Sequence, residues 1–433
     1  MNKAISNPTK TQNAWAFYDW ANSVYSLVIS SAIFPLYFGF LYPKGEDIIS
    51  FFGNDIKSTA LISYVTAFAF LVVAILSPLL SGIADYIGNK KRFMQFFCYL
   101  GAASCIGMYW FTVDAIYFGM LCFFFGLVGF WGSLAFYNSY LPDIAPAEKH
   151  DALSAKGFSL GYIGSVLLLL VCLAIILSKE GEAALQAMRY SFVLTGVWWL
   201  GFSQYSFFYL PKGNGNSAKV HRSVLFNGFK ELQKVRKQIL QNNTLYRYLV
   251  AFFVYSMAVQ TVMLVATYFG EKEINWGGDS EKTIGLIVSI LLIQLVAVLG
   301  AFLTSKLSSK FGNIKTLIFI NAIWAVICTC AYFVETPTQF YITAGFVGLV
   351  MGGIQSLSRS TYSKFLPKTK DTTSFFSFYD VTEKIGIVIG MVLYGFVDQY
   401  TGSMRNSILF LGFFFFLGVF LLLRVKNNNI FEN

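Results

Sequence analysis

Long apolar runs alternate with short polar breaks along nearly all of this 433-residue chain. A bilayer core about 30 Å thick is crossed by roughly 20 apolar residues in helix. Twelve runs reach that scale, at about 15–42, 59–84, 93–113, 115–141, 156–178, 188–210, 246–270, 283–308, 315–334, 338–363, 374–397 and 404–424. The longest polar break, 211–245, falls between the sixth and seventh, so the pattern predicts six spans, a connection and six more. The expected fold class is therefore an all-α integral membrane protein of twelve transmembrane helices. Its expected domains are a six-helix bundle over 1–210, a basic linker over 211–245 and a second six-helix bundle over 246–433. The first run is too long for a signal-peptide core and no small-residue cleavage site follows it, so it reads as a retained helix.

Composition agrees, with 56% hydrophobic residues, 12% charged and 46 Phe. Basic residues set the orientation. Lys and Arg number 23 on the side holding both termini and the connections after even-numbered spans, against 7 on the other. This places both termini in the cytoplasm of a cell whose plasma membrane, a bacterial inner membrane, holds the chain. The net charge of +10 is then a topology signal, and nucleic acid is not an expected partner. The six cysteines lie in apolar runs without a CxxC pair, and only two histidines occur, so no metal or other cofactor is expected. The linker stretch "LFNGFKELQKVRKQIL" spaces Leu225, Phe229, Leu232 and Ile239 helically among cations. It reads either as an amphipathic helix on the cytoplasmic membrane face or as a solvated basic linker.

One polar break has an echo. "ADYIGNKKR" follows the second span and "SSKFGNIKT" follows the eighth, with Gly88-Asn89 and Gly312-Asn313 offset by 224. "YNSYLP" and "YSKFLP" end spans 4 and 10 at an offset of 225, which also separates Gly161 from Gly386. Duplicated six-helix halves are a transporter architecture with substrate bound near the midplane.

"GIADYIGNKKR" resembles the loop 2–3 motif of the major facilitator superfamily, through Gly82, Asp85, Gly88, Lys90, Lys91 and Arg92. Tyr86 stands where that motif has an arginine. The resemblance implies that these residues form a conformational latch, with Asp85 approaching the start of span 11 near Lys370–Ser374; the alternative for Asp85 is a local salt bridge to the three cations. Further stretches, "WAFYDWANSVY", "FYNSYLPDI", "SAKGFSLGYIGS", "GGIQSLSRS" and "FFSFYDVTEKIG", are together similar to the vacuolar amino-acid effluxer-like branch of that superfamily. This implies a secondary transporter. Span 4 has no arginine before its glycines, and no proline follows Gly161, so two superfamily features are missing.

Ionisable groups within spans are costly and are usually functional or paired. They are Asp19, Lys156, Arg359, Asp380, Glu383 and Lys384. Asp19 and Lys156 sit near cytoplasmic ends, where dipole and ion-pair roles compete with coupling. Asp380 and Lys384 share a helix face at i,i+4. The charges of spans 10 and 11 read either as an ion-coupling site, with Glu383 foremost, then Asp380, Lys384 and Asp19, or as a network that only holds two helices together. The resemblance places spans 1, 4, 7 and 10 around the substrate cavity, which nominates Asn22, Tyr25, Trp131, Gln260, Gln355 and Arg359 as substrate-binding. Arg359 would grip a carboxylate in a bidentate pair; either glutamine would equally serve as glue between helices.

The function expected is ion-coupled secondary transport of a small solute by alternating access, with the proton as coupling ion and amino-acid efflux as the implied case. The partners are that solute, the ion and lipid, and the chain is expected as a monomer. The alternatives are a membrane enzyme, for which no catalytic motif appears, and a non-transporting receptor or structural protein. The charge split makes a direct prediction. In a cysteine-free chain, a thiol at position 276 is labelled from outside intact cells and one at position 215 is not; the reverse pattern inverts the topology.

Overall fold

The computed structural model describes residues 7–43, 48–212 and 224–425. Twelve long helical rods are present among them. The first combines α1 (Pro8–Val24), a π-helical stretch (Tyr25–Ile33) and α2 (Phe34–Leu41). A hairpin of β1 (Ile48–Phe51) and β2 (Asn54–Lys57) follows, then α3 (Ser58–Ile87), α4 (Lys90–Gly107), α5 (Ile116–Asn138) and the one-turn α6 (Leu141–Ile144). Next come α7 (His150–Leu177), α8 (Gly181–Tyr209) and the linker helix α9 (Val224–Gln241). The chain continues with α10 (Asn243–Glu273), α11 (Asp279–Phe311), α12 (Asn313–Ala331), α13 (Pro337–Phe365), α14 (Thr372–Thr401) and α15 (Met404–Leu423). Nine of these segments are long and apolar enough to cross a membrane by composition alone. Three others, α4, α8 and α14, carry more polar groups. Of the three, α14 carries charges in its middle, Asp380, Glu383 and Lys384, where α4 has its cations at its start.

Helix ends follow local chemistry. Asn7 caps α1 by accepting from the Lys10 amide, with Pro8 at the first helical position. Thr336 and Gln339 form a reciprocal capping box that starts α13. Gly88 ends α3 in the left-handed region, at φ +73°, and its amide donates to the Ala84 carbonyl at 2.8 Å. Gly312 stands between α11 and α12, also at positive φ (+84°) but with ψ at 156° where Gly88 has 34°. Within the π-helical stretch, bonds span five residues. The Phe34 amide reaches Ile29, and the Ser31 hydroxyl donates to Ser26 at 3.0 Å. Pro35 follows at once and, having no N–H, offers no bond to the turn before it.

The chain divides into two compact units, Met1–Asn138 with Ile163–Phe229, and Ser139–Tyr162 with Lys230–Asn433. The first turns of α7 thus pack with the second unit although they precede the linker in sequence. In the first unit, α4 and α5 meet through Gly101 and Gly129. A Cβ on Gly129 would lie 2.5 Å from the Gly101 Cα. In the second unit, Gly348 and Gly352 of α13 lie against the α11 backbone. A Cβ at 348 would stand 2.5 Å from the Ile293 carbonyl oxygen, and one at 352 would overlap that of Ala297. Small residues four apart let helices approach where hydrocarbon supplies no hydrophobic drive.

The linker helix buries Val235 and Ile239 in the core of the second unit, while Phe229 faces outward. Its buried seam thus omits one position of the expected stripe, and the Leu225 side chain lies outside the described residues. Lys234 bridges Glu231 at 2.6 Å and Asp371, just before α14, at 2.9 Å. These two carboxylates raise the Lys234 pKa from its ordinary value, chiefly through their hydrogen bonds. The ammonium is half exposed, so water screens the pair.

The glycine contacts predict opposite outcomes for one substitution at two places. Gly352→Ala forces α11 and α13 apart and costs about 1–3 kcal/mol, read as a lower unfolding temperature in detergent. Gly345→Ala, where a Cβ meets nothing within 4 Å, is neutral or stabilising by about 0.5–1 kcal/mol.

Candidate functional site

The second unit gathers six of the nominated residues on α10, α13 and α14. Asp380 and Lys384, one turn apart on α14, form an ion pair buried almost completely. Glu383 lies between them in sequence but faces α10, where Gln260 Nε2 donates to its Oε1 at 2.8 Å. One helix therefore carries a carboxylate neutralised by a cation and another bonded to a neutral amide.

Arg359 and Gln355 on α13 both face the first turns of α7. Arg359 Nε donates to Ser154 Oγ at 2.9 Å, and Nη2 donates to the Ser154 carbonyl at 3.0 Å. The guanidinium carbon lies 4.2 Å from the centre of the Phe158 ring, within cation–π range. Ser154 in turn donates to the Ser356 carbonyl at 2.8 Å. Tyr162 donates to Gln355 Oε1 at 2.7 Å. Behind Arg359, Ser358 is held by α10: Tyr248 donates to its carbonyl and Tyr255 bonds its hydroxyl, each at 2.8 Å. The arginine expected to hold a substrate carboxylate thus has bonds to the start of α7 in this conformation.

A second polar cluster lies at the end of α13. Lys364 pairs with Asp151 at 2.6 Å. Asp151 also accepts from Ser308 Oγ and from Asn313 Nδ2, each at 2.9 Å, and Asn313 reaches Thr361 at 2.9 Å and accepts from Lys364 at 3.0 Å. Ser308 and Asn313 belong to "SSKFGNIKT", the echo of the first motif. Sequence reasoning missed Asp151, Ser154, Phe158 and Tyr162 as a set. Their signal was their spacing of three, four and four residues, which puts them on one face of α7.

The remaining nominated residues belong to the first unit. Asp19 is buried and accepts from the Tyr137 hydroxyl at 2.8 Å. The Tyr137 carbonyl accepts from Trp15 Nε1 at 2.9 Å, and the two rings stack. Asn22 is buried, with its Nδ2 lacking a hydrogen-bond partner among the described residues. Tyr25 stacks on Phe130 and leans on Trp199. Trp131 packs against Phe70 and Phe130. In the loop motif, Gly82 is buried inside α3, Gly88 makes the turn, and Asp85 is half-buried. Lys90 is buried, Arg92 is exposed, and Lys91 caps α8 by donating to the Leu210 carbonyl at 2.9 Å. Among the described residues no cluster of three or more His, Cys, Asp or Glu could hold a metal.

Twelve helical rods, nine of them long and apolar enough by composition to cross a membrane, belong to a transporter of the major facilitator superfamily, as its relatives show. Its backbone matches the E. coli fucose:proton symporter FucP with a TM-score of 0.69 at 15% identity, covering 97% of this chain and 98% of that one. It matches the proton:xylose symporter XylE with a TM-score of 0.73 at 13% identity, covering 97% and 96%. By sequence the chain belongs to the family described as vacuole effluxer Atg22 like, whose model matches residues 7–430. An uncharacterized MFS-type transporter of Bacillus subtilis, YxiO, is 32% identical over 419 residues, 96% of this chain and 94% of that one. Autophagy-related protein 22 of Saccharomyces cerevisiae strain S288c is 25% identical over 447 residues, covering 88% and 80%. The family description names an effluxer and the Bacillus relative a transporter, so the enzyme alternative falls away.

The Asp151 cluster predicts a ranking. Asp151→Asn leaves Lys364 without its anion and costs about 3–5 kcal/mol, whereas the double change with Lys364→Met costs less, because removing both charges removes the desolvation penalty too. Unfolding temperatures of the two variants in detergent check the order.

Proposed function

We propose that this protein exports a small zwitterionic solute of the amino-acid class, coupled to protons, by alternating access. The observation that carries the proposal is the division of labour on α14. Asp380 is paired with Lys384, while Glu383 is bonded to the neutral Gln260. A bare charge at membrane depth is costly, and Glu383 can exchange its charge for a proton without breaking an ion pair. A net-neutral solute bearing both signs matches a site that itself contains a balanced pair. Export is supported by the family description, and proton coupling by analogy with two proton symporters of the same fold.

Arg359 and Gln355 supply the polar anchors on α13, Gln260 reads the solute from α10, and Asn22, Tyr25 and Trp131 contribute from the first unit. Asp19 is a secondary coupling group. The contacts of Asp151, Ser154 and Tyr162 hold the first turns of α7 against α11, α12 and α13 within the second unit. Asp85 and its neighbouring glycines and cations set the rate of cycling rather than affinity. The chain works as a monomer in a plasma membrane with both termini cytoplasmic, as the split of 23 basic residues against 7 supports.

Paired measurements in proteoliposomes test the coupling. Glu383→Gln should abolish accumulation of amino acid driven by a pH gradient and spare counterflow, which needs no net proton movement. Arg359→Lys should weaken solute binding, because an ammonium cannot reproduce the guanidinium fork. Accumulation by Glu383→Gln at the wild-type level removes Glu383 from the coupling step.

A further inference from the structure

The β1–β2 hairpin turns through only two residues, Phe52 and Gly53, with φ of +50° and +76°. Two successive positive values define a type I′ turn, whose first position suits asparagine, aspartate or glycine. Phenylalanine is a poor choice there. Its Cβ crowds the carbonyl in the left-handed region, and Phe52 is the one non-glycine residue with positive φ among those described. The ring meets Phe51 and Tyr117 edge-on, with centroids 4.8 and 5.2 Å apart, yet it stays 77% exposed.

The body of the hairpin is ordinary by comparison. Ile49 pairs with Ile56 and Phe51 with Asn54 on the inner face, while Ser50 pairs with Asp55 on the outer one. Phe51 stacks on Tyr117 with centroids 4.8 Å apart, and the Phe52 amide donates to the Tyr117 hydroxyl at 3.1 Å. Tyr117 is the second residue of α5, whose membrane-crossing segment starts at Ile116. The tip is therefore tied to the level at which a helix passes from water into lipid. The exposed large apolar side chains leading into α5 and on its first turn are Trp110, Val113, Tyr117 and Phe118, with one exposed acid, Asp114, among them. Aromatic residues concentrate at that level in membrane proteins because their rings favour the headgroup boundary.

We infer that Phe52 is an interfacial anchor: the strained turn presents its ring to the boundary between headgroups and acyl chains of the leaflet on the hairpin's side. The occupant is lipid because the tip is bound to the first turn of a membrane-crossing helix and its exposed neighbours continue the same aromatic level. Burial of the ring in that boundary adds to the edge contacts with Phe51 and Tyr117 in offsetting the backbone strain, and covers the face of the ring that those contacts leave exposed.

Two measurements on the full-length protein in phosphatidylcholine–phosphatidylglycerol vesicles test this. A nitroxide at position 52, in a cysteine-free chain, should collide readily with oxygen and poorly with a water-soluble nickel chelate, and one at Asp55 should show the reverse. Equal nickel access at both positions overturns the inference. A label at 52 shielded from both reagents marks a protein contact and overturns it too. The second measurement is hydrogen exchange of the 48–57 amides. Phe52→Asn relieves the turn, so if the ring only faced water, exchange would slow about 5–30-fold, the factor that one to two kcal/mol represents. The anchor predicts exchange as fast as wild type or faster in Phe52→Asn, and wild-type exchange in Phe52→Trp.

Discussion

The cost of an uncompensated charge in hydrocarbon organises this molecule. Asp380 and Lys384 are buried together one helical turn apart, the geometry in which each neutralises the other without recruiting a second helix. Arg359 lies under the Phe158 ring with Ser154 oxygens at two of its nitrogens. Lys364 and Asp151 meet at the end of α13 among serine, asparagine and threonine side chains. Glu383 departs from the pattern, because its partner is an amide. The same aversion confines backbone polar groups to helices. Close contact then falls to small residues such as Gly348 and Gly352, because no solvent is left to drive helices together.

The two glycine turns show how a positive φ can recur while ψ and the surrounding electrostatics differ. Gly88 and Gly312 both take positive φ between two long helices, and each is followed by asparagine. The first copy carries its own acid, Asp85. In the second, Ser309 stands at that place, and the carboxylate that reaches Ser308 and Asn313 is Asp151 from the start of α7. Both turns need a positive φ, which glycine meets without strain, and they differ in where the negative charge comes from.

The long elements were legible because a run of twenty apolar residues matches the thickness of a bilayer and little else. Even α14, too polar for a composition criterion, was recovered from its apolar flanks. Which charges pair along one helix was also readable, since Asp380 and Lys384 obey a local spacing. Partners on other helices were not. Asp19 meets Tyr137 across 118 residues, and nothing near either residue announces the other. The stripe from Asp151 to Tyr162 was hidden because serine, phenylalanine and tyrosine are each commonplace in an apolar span. The hairpin was missed for a different reason: its turn carries phenylalanine where the usual signal is asparagine.

The wide turn in the first helix has its own consequence. Between Tyr25 and Ile33 each backbone bond encloses one residue more than an α-turn does. A wheel drawn at 3.6 residues per turn through this segment misplaces every side chain beyond it, Phe34 and Tyr37 included. The same surplus is slack. Dropping one residue from an ordinary span rotates everything downstream by about 100°. Here a shortened chain closes the loose turn to an α-turn, and both flanks keep their faces. The stretch from Tyr25 to Ile33 is thus where the first helix can change length without changing what it presents to its neighbours.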